Sequence, residues 1–121
     1  RLAAVLADEA LYCKSGRVSP GRVVKLTGAE LDEELKDSST PILLDVFATW
    51  CGPCRTMAPE LEKAAKQLGA KVRVVKMDSD ENPEMASRLR VQGLPSIIVF
   101  NKQGQEVKRL EGAIMERQIV E

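Results

Sequence analysis

Short apolar runs alternate along the chain with longer stretches whose apolar residues recur three and four positions apart, the rhythm of strands alternating with helices. Leu2, Val5, Leu6 and Ala10 keep helical spacing around Asp8 and Glu9, so a short amphipathic helix is expected over residues 1–13. Residues 14–21 are polar and turn-rich and read as a linker. This divides the chain into an N-terminal extension and linker, 1–21, and one folded domain, 22–121. Residues 22–26 predict a strand. Thr27 with Glu30 three later forms a capping-box pattern leading into Leu31 and Leu35, which predicts a helix with a charged outer face. Residues 42–48 are apolar on both faces, as in a central strand covered from two sides. A helix then runs through Met57, Leu61, Ala64, Ala65 and Leu68 to a stop at Gly69, with a kink expected at Pro59. A strand follows over 72–77, then a helix beginning near 78–82 that turns Met85, Ala86 and Leu89 inward. Residues 96–100 and 105–110 flank Asn101-Lys102-Gln103-Gly104, a hairpin signal, and a last helix is expected from about Ala113. Strands alternating with helices and closing on a hairpin predict an α/β fold, a central mixed sheet with helices on both faces.

Composition changes this picture little. The chain has 121 residues, 44% of them hydrophobic, with 18 basic against 18 acidic side chains, which suits one ordinary domain with an adequate core. Zero formal charge and 3% aromatics supply neither the basic field nor the stacking platform that direct nucleic-acid binding needs. No apolar run approaches the roughly 18 residues of a membrane span. The chain starts at Arg1 without Met, so removal of an upstream segment is expected, and the last helix looks short enough that the natural chain is expected to continue. Residues 1–13 are not themselves a transit peptide, because acidic residues interrupt them. Three cysteines are too few for a disulfide scaffold and point to a compartment that keeps thiols reduced. Cys13, at the linker's edge, reads as a spectator thiol, with a regulatory mixed disulfide as the alternative.

The candidate chemistry lies in Trp50-Cys51-Gly52-Pro53-Cys54, where the central strand gives way to a helix. A cysteine there sits among unpaired helix N–H groups, whose dipole favours thiolate over thiol, so Cys51 is the expected nucleophile. Cys54 follows three residues later on the same helical face, roughly 5–6 Å away between Cβ atoms, within reach of a disulfide, and is the expected resolving thiol. Pro53 suits the first helical turn, and Gly52 lets another backbone approach Cys51. A zinc site is the main competing reading of C-x-x-C, but the chain has no His and one further cysteine, too few ligands for either common set. A purely structural disulfide would close too short a loop to stabilise the fold much. Asp45 is the anomaly of the central strand. A carboxylate buried there has its pKa raised, as suits an acid or base near neutrality, and an ion pair with Lys76 is the structural alternative. Asp78-Ser79-Asp80-Glu81-Asn82 invites a calcium reading, but Pro83 and Leu89 stand where an EF-hand loop needs Gly and Glu.

The motif Trp50-Cys51-Gly52-Pro53-Cys54 resembles the active site of thioredoxins, and the likeness extends over about 100 residues, 22–120. Asp45 stands six before Cys51, Pro59 five after Cys54, and Lys76 on the next apolar run. Gly93-Leu94-Pro95-Ser96 resembles the family's cis-proline loop, and Gly112-Ala113 its last substrate-loop glycine. The likeness implies a thioredoxin fold and a protein-disulfide reductase without cofactor or metal, expected to act as a monomer. Cys51 would attack a target disulfide, Cys54 would resolve the mixed disulfide, and Asp45, tuned by Lys76, would accept the proton of Cys54. Trp50, Gly52, Pro53, Gly93, Leu94, Pro95, Gly112 and Ala113 would form the apolar rim that binds the target. An oxidase or isomerase of the same fold is disfavoured by Gly-Pro between the cysteines, and a scaffolding subunit by the full redox set.

Ala48-Thr49-Trp50, the 109–113 ending and the extension look most like chloroplast thioredoxins, the z-type in particular. That likeness implies the chloroplast stroma, ferredoxin-thioredoxin reductase as electron donor, and targets such as phosphoribulokinase and proteins of the plastid transcription machinery; a cytosolic protein would take electrons from an NADPH-dependent flavoprotein. Glu111 departs from the pattern, standing where many thioredoxins carry an apolar residue beside the groove, and implies a selective target surface.

Overall fold

The computed structural model describes residues 21–36 and 40–112. The helix and linker expected over 1–20, Cys13, Ala113 and the last helix lie outside the described residues. Five strands form one sheet in the order β1-β3-β2-β4-β5: β1 Val24–Lys25, β2 Ile42–Phe47, β3 Arg73–Asp78, β4 Ser96–Phe100 and β5 Glu106–Glu111. Three helices connect them, α1 Gly28–Lys36, α2 Gly52–Leu68 and α3 Pro83–Arg88, with a short 3-10 turn at Gly69–Lys71. The sheet is mixed, as expected. β1 and β2 run parallel to β3, whereas β4 is antiparallel to both β2 and β5.

The double-sided burial of β2 explains its central place. Ile42, Leu44 and Val46 join Leu31 of α1 and Met85 of α3 in one core, and Leu43 joins Met57, Leu61, Ala64 and Ala65 of α2 in another. Successive strand side chains point to opposite faces, so α1 and α3 cover one side of the sheet and α2 the other. Asp45, two residues after Leu43, therefore faces α2.

Local signals set most boundaries. The capping box forms as expected: Thr27 N–H donates to Glu30 Oε1 at 2.9 Å and Glu30 N–H to Thr27 Oγ1 at 3.2 Å. α2 continues through Pro59 to its cap at Gly69. The β4–β5 hairpin packs Gly104 so closely on α1 that a Cβ would stand 2.7 Å from the Leu35 carbonyl oxygen, at φ +78°; only glycine fits. Expected strand bounds are corrected by one residue at β2, β3 and β5 and by more at β1. β1 pairs over two residues instead of 22–26; Leu26 N–H still reaches the Lys76 carbonyl at 2.9 Å, and the Thr27 cap then turns the chain into α1. β3 starts one residue later and ends one later than expected, since the 3-10 turn delays pairing until Arg73. Arg73 itself is fully buried and its guanidinium donates to Glu34 Oε1 of α1 at 2.8 Å, joining sheet to helix.

Candidate active site

After β2 the chain turns through Ala48, Thr49 and Trp50, and Cys51 N–H donates to the Ala48 carbonyl at 3.2 Å. Cys51 is the N-cap of α2, with extended backbone at φ −82° and ψ 111°, and its Sγ accepts the Cys54 N–H at 3.2 Å. One of the orphan donors of the helix start is thus aimed at sulfur, in the direction that stabilises a thiolate. Cys51 and Cys54 are joined as a disulfide, their Cα atoms 5.3 Å apart. Both are buried beside Ala48, with Phe47 and Leu94 packed against them. Pro53 occupies the first helical turn, and both Gly52 and Pro53 are exposed. Arg55 steadies the turn: its Nε and Nη2 both donate to the Thr49 carbonyl, at 3.1 and 2.7 Å.

A groove of about 550 Å³ opens over Cys51. Trp50, Gly52 and Pro53 line one part of it, and Val91, Gly93 and Leu94 another. Trp50 is 67% exposed, an unusual placement for the chain's one tryptophan, and its indole N–H donates to Asp80 at 2.7 Å. The Leu94–Pro95 bond is cis, as the family likeness implies and as the bare sequence does not. Pro95 is buried, and its carbonyl accepts the Gly112 N–H at 2.9 Å. Gly112 thus ties the end of β5 to the cis-proline loop. Glu111 reaches the rim, with Oε2 3.7 Å from the position of a Cβ on Gly93.

Asp45 and Cys54 line a second cavity, of about 510 Å³, together with Lys76. Burial pushes the Asp45 carboxyl up to about 7, and the positive charge of Lys76, its partner in register on β3, opposes that rise without cancelling it. Asp45 Oδ1 has no hydrogen-bond partner, which is the desolvation cost seen at one atom. Lys76 Nζ lies over the Phe47 ring, 5.5 Å from its centroid. The acidic 78–82 stretch leads into α3, as expected; Asp78 accepts the N–H groups of Asp80 and Glu81. Among the described residues no three His, Cys, Asp or Glu side chains are grouped to hold a metal ion, and no helix is long and apolar enough to cross a membrane.

Three contacts had no counterpart in the sequence reading: Asp80 on Trp50, Arg55 on Thr49, and Arg109 on the backbone at Leu89 and Arg90. The first and last join residues 30 and 20 positions apart, where periodicity carries no signal.

Comparison with known proteins agrees with this geometry. The thioredoxin family profile matches residues 22–121. The chain belongs to the thioredoxin family. It is a thiol–disulfide oxidoreductase that reduces disulfides in other proteins through its cysteine pair. A thioredoxin-like protein of Synechocystis sp. is 43% identical over 98 residues, 81% of this chain and 92% of the relative. The chloroplastic thioredoxin Y of Oryza sativa subsp. japonica is 37% identical over 120 residues, 99% of this chain and 71% of the relative. Among solved structures, chloroplastic thioredoxin z superposes with a TM-score of 0.76 at 40% identity, covering 82% of this chain and 88% of that one; its report describes a type-specific target recognition.

Proposed function

We propose that residues 22–121 form a dithiol reductase domain, preceded by an extension and linker, in which Cys51 attacks and Cys54 resolves. The observation that carries these roles is the N-cap geometry: Cys51 Sγ accepts a helix-start N–H, whereas Cys54 lies inside the first turn. The Cys51 thiolate attacks one sulfur of a target disulfide, and the other target sulfur leaves as a thiolate. Asp45 takes the proton of the Cys54 thiol. The Cys54 thiolate then attacks Cys51 Sγ, which expels the second target thiolate and leaves this protein oxidised by two electrons. A carboxyl at about 7 is ionised often enough near neutrality to accept that proton, and Lys76 keeps it from rising further. The target segment lies along Trp50, Gly52, Pro53, Gly93 and Leu94, with Pro95 and Gly112 completing that rim, and a strand-like segment suits its open backbone.

The reading extends to the chloroplast stroma, with ferredoxin-thioredoxin reductase as donor and plastid enzymes such as phosphoribulokinase and transcription-associated proteins as targets. Its support is the likeness of 99% of the chain to a chloroplastic thioredoxin and of its fold to chloroplastic thioredoxin z. Mass-mapped alkylation of the reduced protein tests the cysteine roles. Cys51 is expected to react first, and Cys54→Ser to accumulate a mixed disulfide with insulin while Cys51→Ser forms none. Faster modification of Cys54 would reverse the assignment.

A further inference from the structure

The wall of the groove is a loop held at both ends by β5. α3 ends at Arg88 with Leu89 as its C-cap, and Arg90 adopts φ +56°, a left-handed conformation uncommon for a residue with a side chain. Val91 N–H closes the reversal onto the Ala86 carbonyl at 3.1 Å. Carbonyls at such a helix end have no intrahelical partner. Here Arg109 supplies one: Nη2 donates to the Leu89 carbonyl at 2.6 Å and Nη1 to the Arg90 carbonyl at 3.2 Å. The same guanidinium is oriented by Glu106, which accepts from Nε at 2.8 Å and from Nη2 at 2.7 Å. Five residues after Arg90 the loop is tied again, where Gly112 N–H reaches the Pro95 carbonyl at 2.9 Å. Between these two ties lie Val91, Gly93 and Leu94, which face the groove.

We propose that Arg109, oriented by Glu106, is the positioning residue of the target-binding wall, and that it sets affinity for protein disulfides without taking part in thiol chemistry. The inference rests on the reading that this groove receives the target. A planar guanidinium grips two carbonyls and a carboxylate at once, which a lysine ammonium on a flexible stem does not reproduce. Loss of the grip leaves the first end of the wall free to shift against Cys51 while the cysteines stay in place on β2 and α2.

Steady-state reduction of insulin by the full chain, beside reduction of the small disulfide DTNB, tests the idea on Arg109→Lys, Arg109→Gln and Glu106→Gln. Circular dichroism confirms that each variant is folded. KM for insulin is expected to rise at least threefold in both Arg109 variants and by less in Glu106→Gln, with kcat and the DTNB rate within twofold of the starting protein. The redox potential against glutathione is expected to stay unchanged. An unchanged insulin KM in the folded Arg109 variants overturns the role. So does full retention by Arg109→Lys, because charge alone would then suffice, and so does an equal loss towards insulin and DTNB. Failure of the unsubstituted chain to reduce insulin would instead overturn the functional reading beneath it.

Discussion

At Asp45 a stability cost of burial stands beside the proposed role as proton acceptor. Its folded pKa stands near 7 against an ordinary 3.8, because burial disfavours the charged form. The unfolded chain therefore releases this proton first as pH rises. The fold is not penalised below about pH 3.8, loses about 1.4 kcal/mol per pH unit through the interval up to 7, and pays no further above it. Asp45→Asn removes the titration. Its melting temperature is expected to exceed that of the parent at pH 8, by an amount equivalent to a few kcal/mol, with the difference fading towards pH 4. Insulin turnover should fall at the same time. Thermal scans across pH, with turnover measured on the same samples, check both, and unchanged turnover would leave Asp45 a structural role only. Asp45 was legible in the sequence because a carboxylate in a run apolar on both faces has no bland place to go. Asp80 was not: it sat in an acidic stretch that reads as a helix start, and its bond to Trp50 depends on how the loop after β3 approaches the turn after β2.

Elements were legible where a local signal fixes them. The capping box begins α1 and Gly69 ends α2, each set by groups within a few residues. β1 was read too long because edge pairing depends on a partner strand that periodicity does not reveal. Arg73 is a stronger case, since its place in a short strand gave no sign that it would be fully buried against Glu34 of α1. A buried ion pair costs desolvation on both sides, so removal of one member harms the fold more than replacement of both. Glu34→Ala is expected to destabilise by about 3–5 kcal/mol, and Glu34→Leu with Arg73→Met by much less. Urea denaturation of the single and double variants checks this, and a double variant as unstable as the single would show that the pair is needed for more than mutual neutralisation.

At the scale of the molecule, the topology brings three separate pieces of chain to one end of the sheet: the turn after β2 with the cysteines, the loop before β4 with cis-Pro95, and the end of β5 with Glu111 and Gly112. Among the described residues Cys51 lines the groove proposed to receive the targets, so a reductase that reloads this dithiol is expected to dock on the same surface. Donor preference is therefore a property of that one surface. Glu111 places a negative charge at its rim, against Gly93, and a rim charge acts on association rate and rejects like-charged partners more than it changes affinity. If the protein works in the stroma, its surface is matched to ferredoxin-thioredoxin reductase, and that enzyme is expected to reduce it several-fold faster than an NADPH-dependent thioredoxin reductase at equal concentrations. Free thiols followed with time for both donors, at low and high salt, give the answer. The preference should shrink as salt screens the rim charge, and Glu111→Val should narrow it at low salt. A clear preference for the NADPH enzyme would remove the plastid assignment and leave the dithiol chemistry of Cys51 and Cys54 untouched.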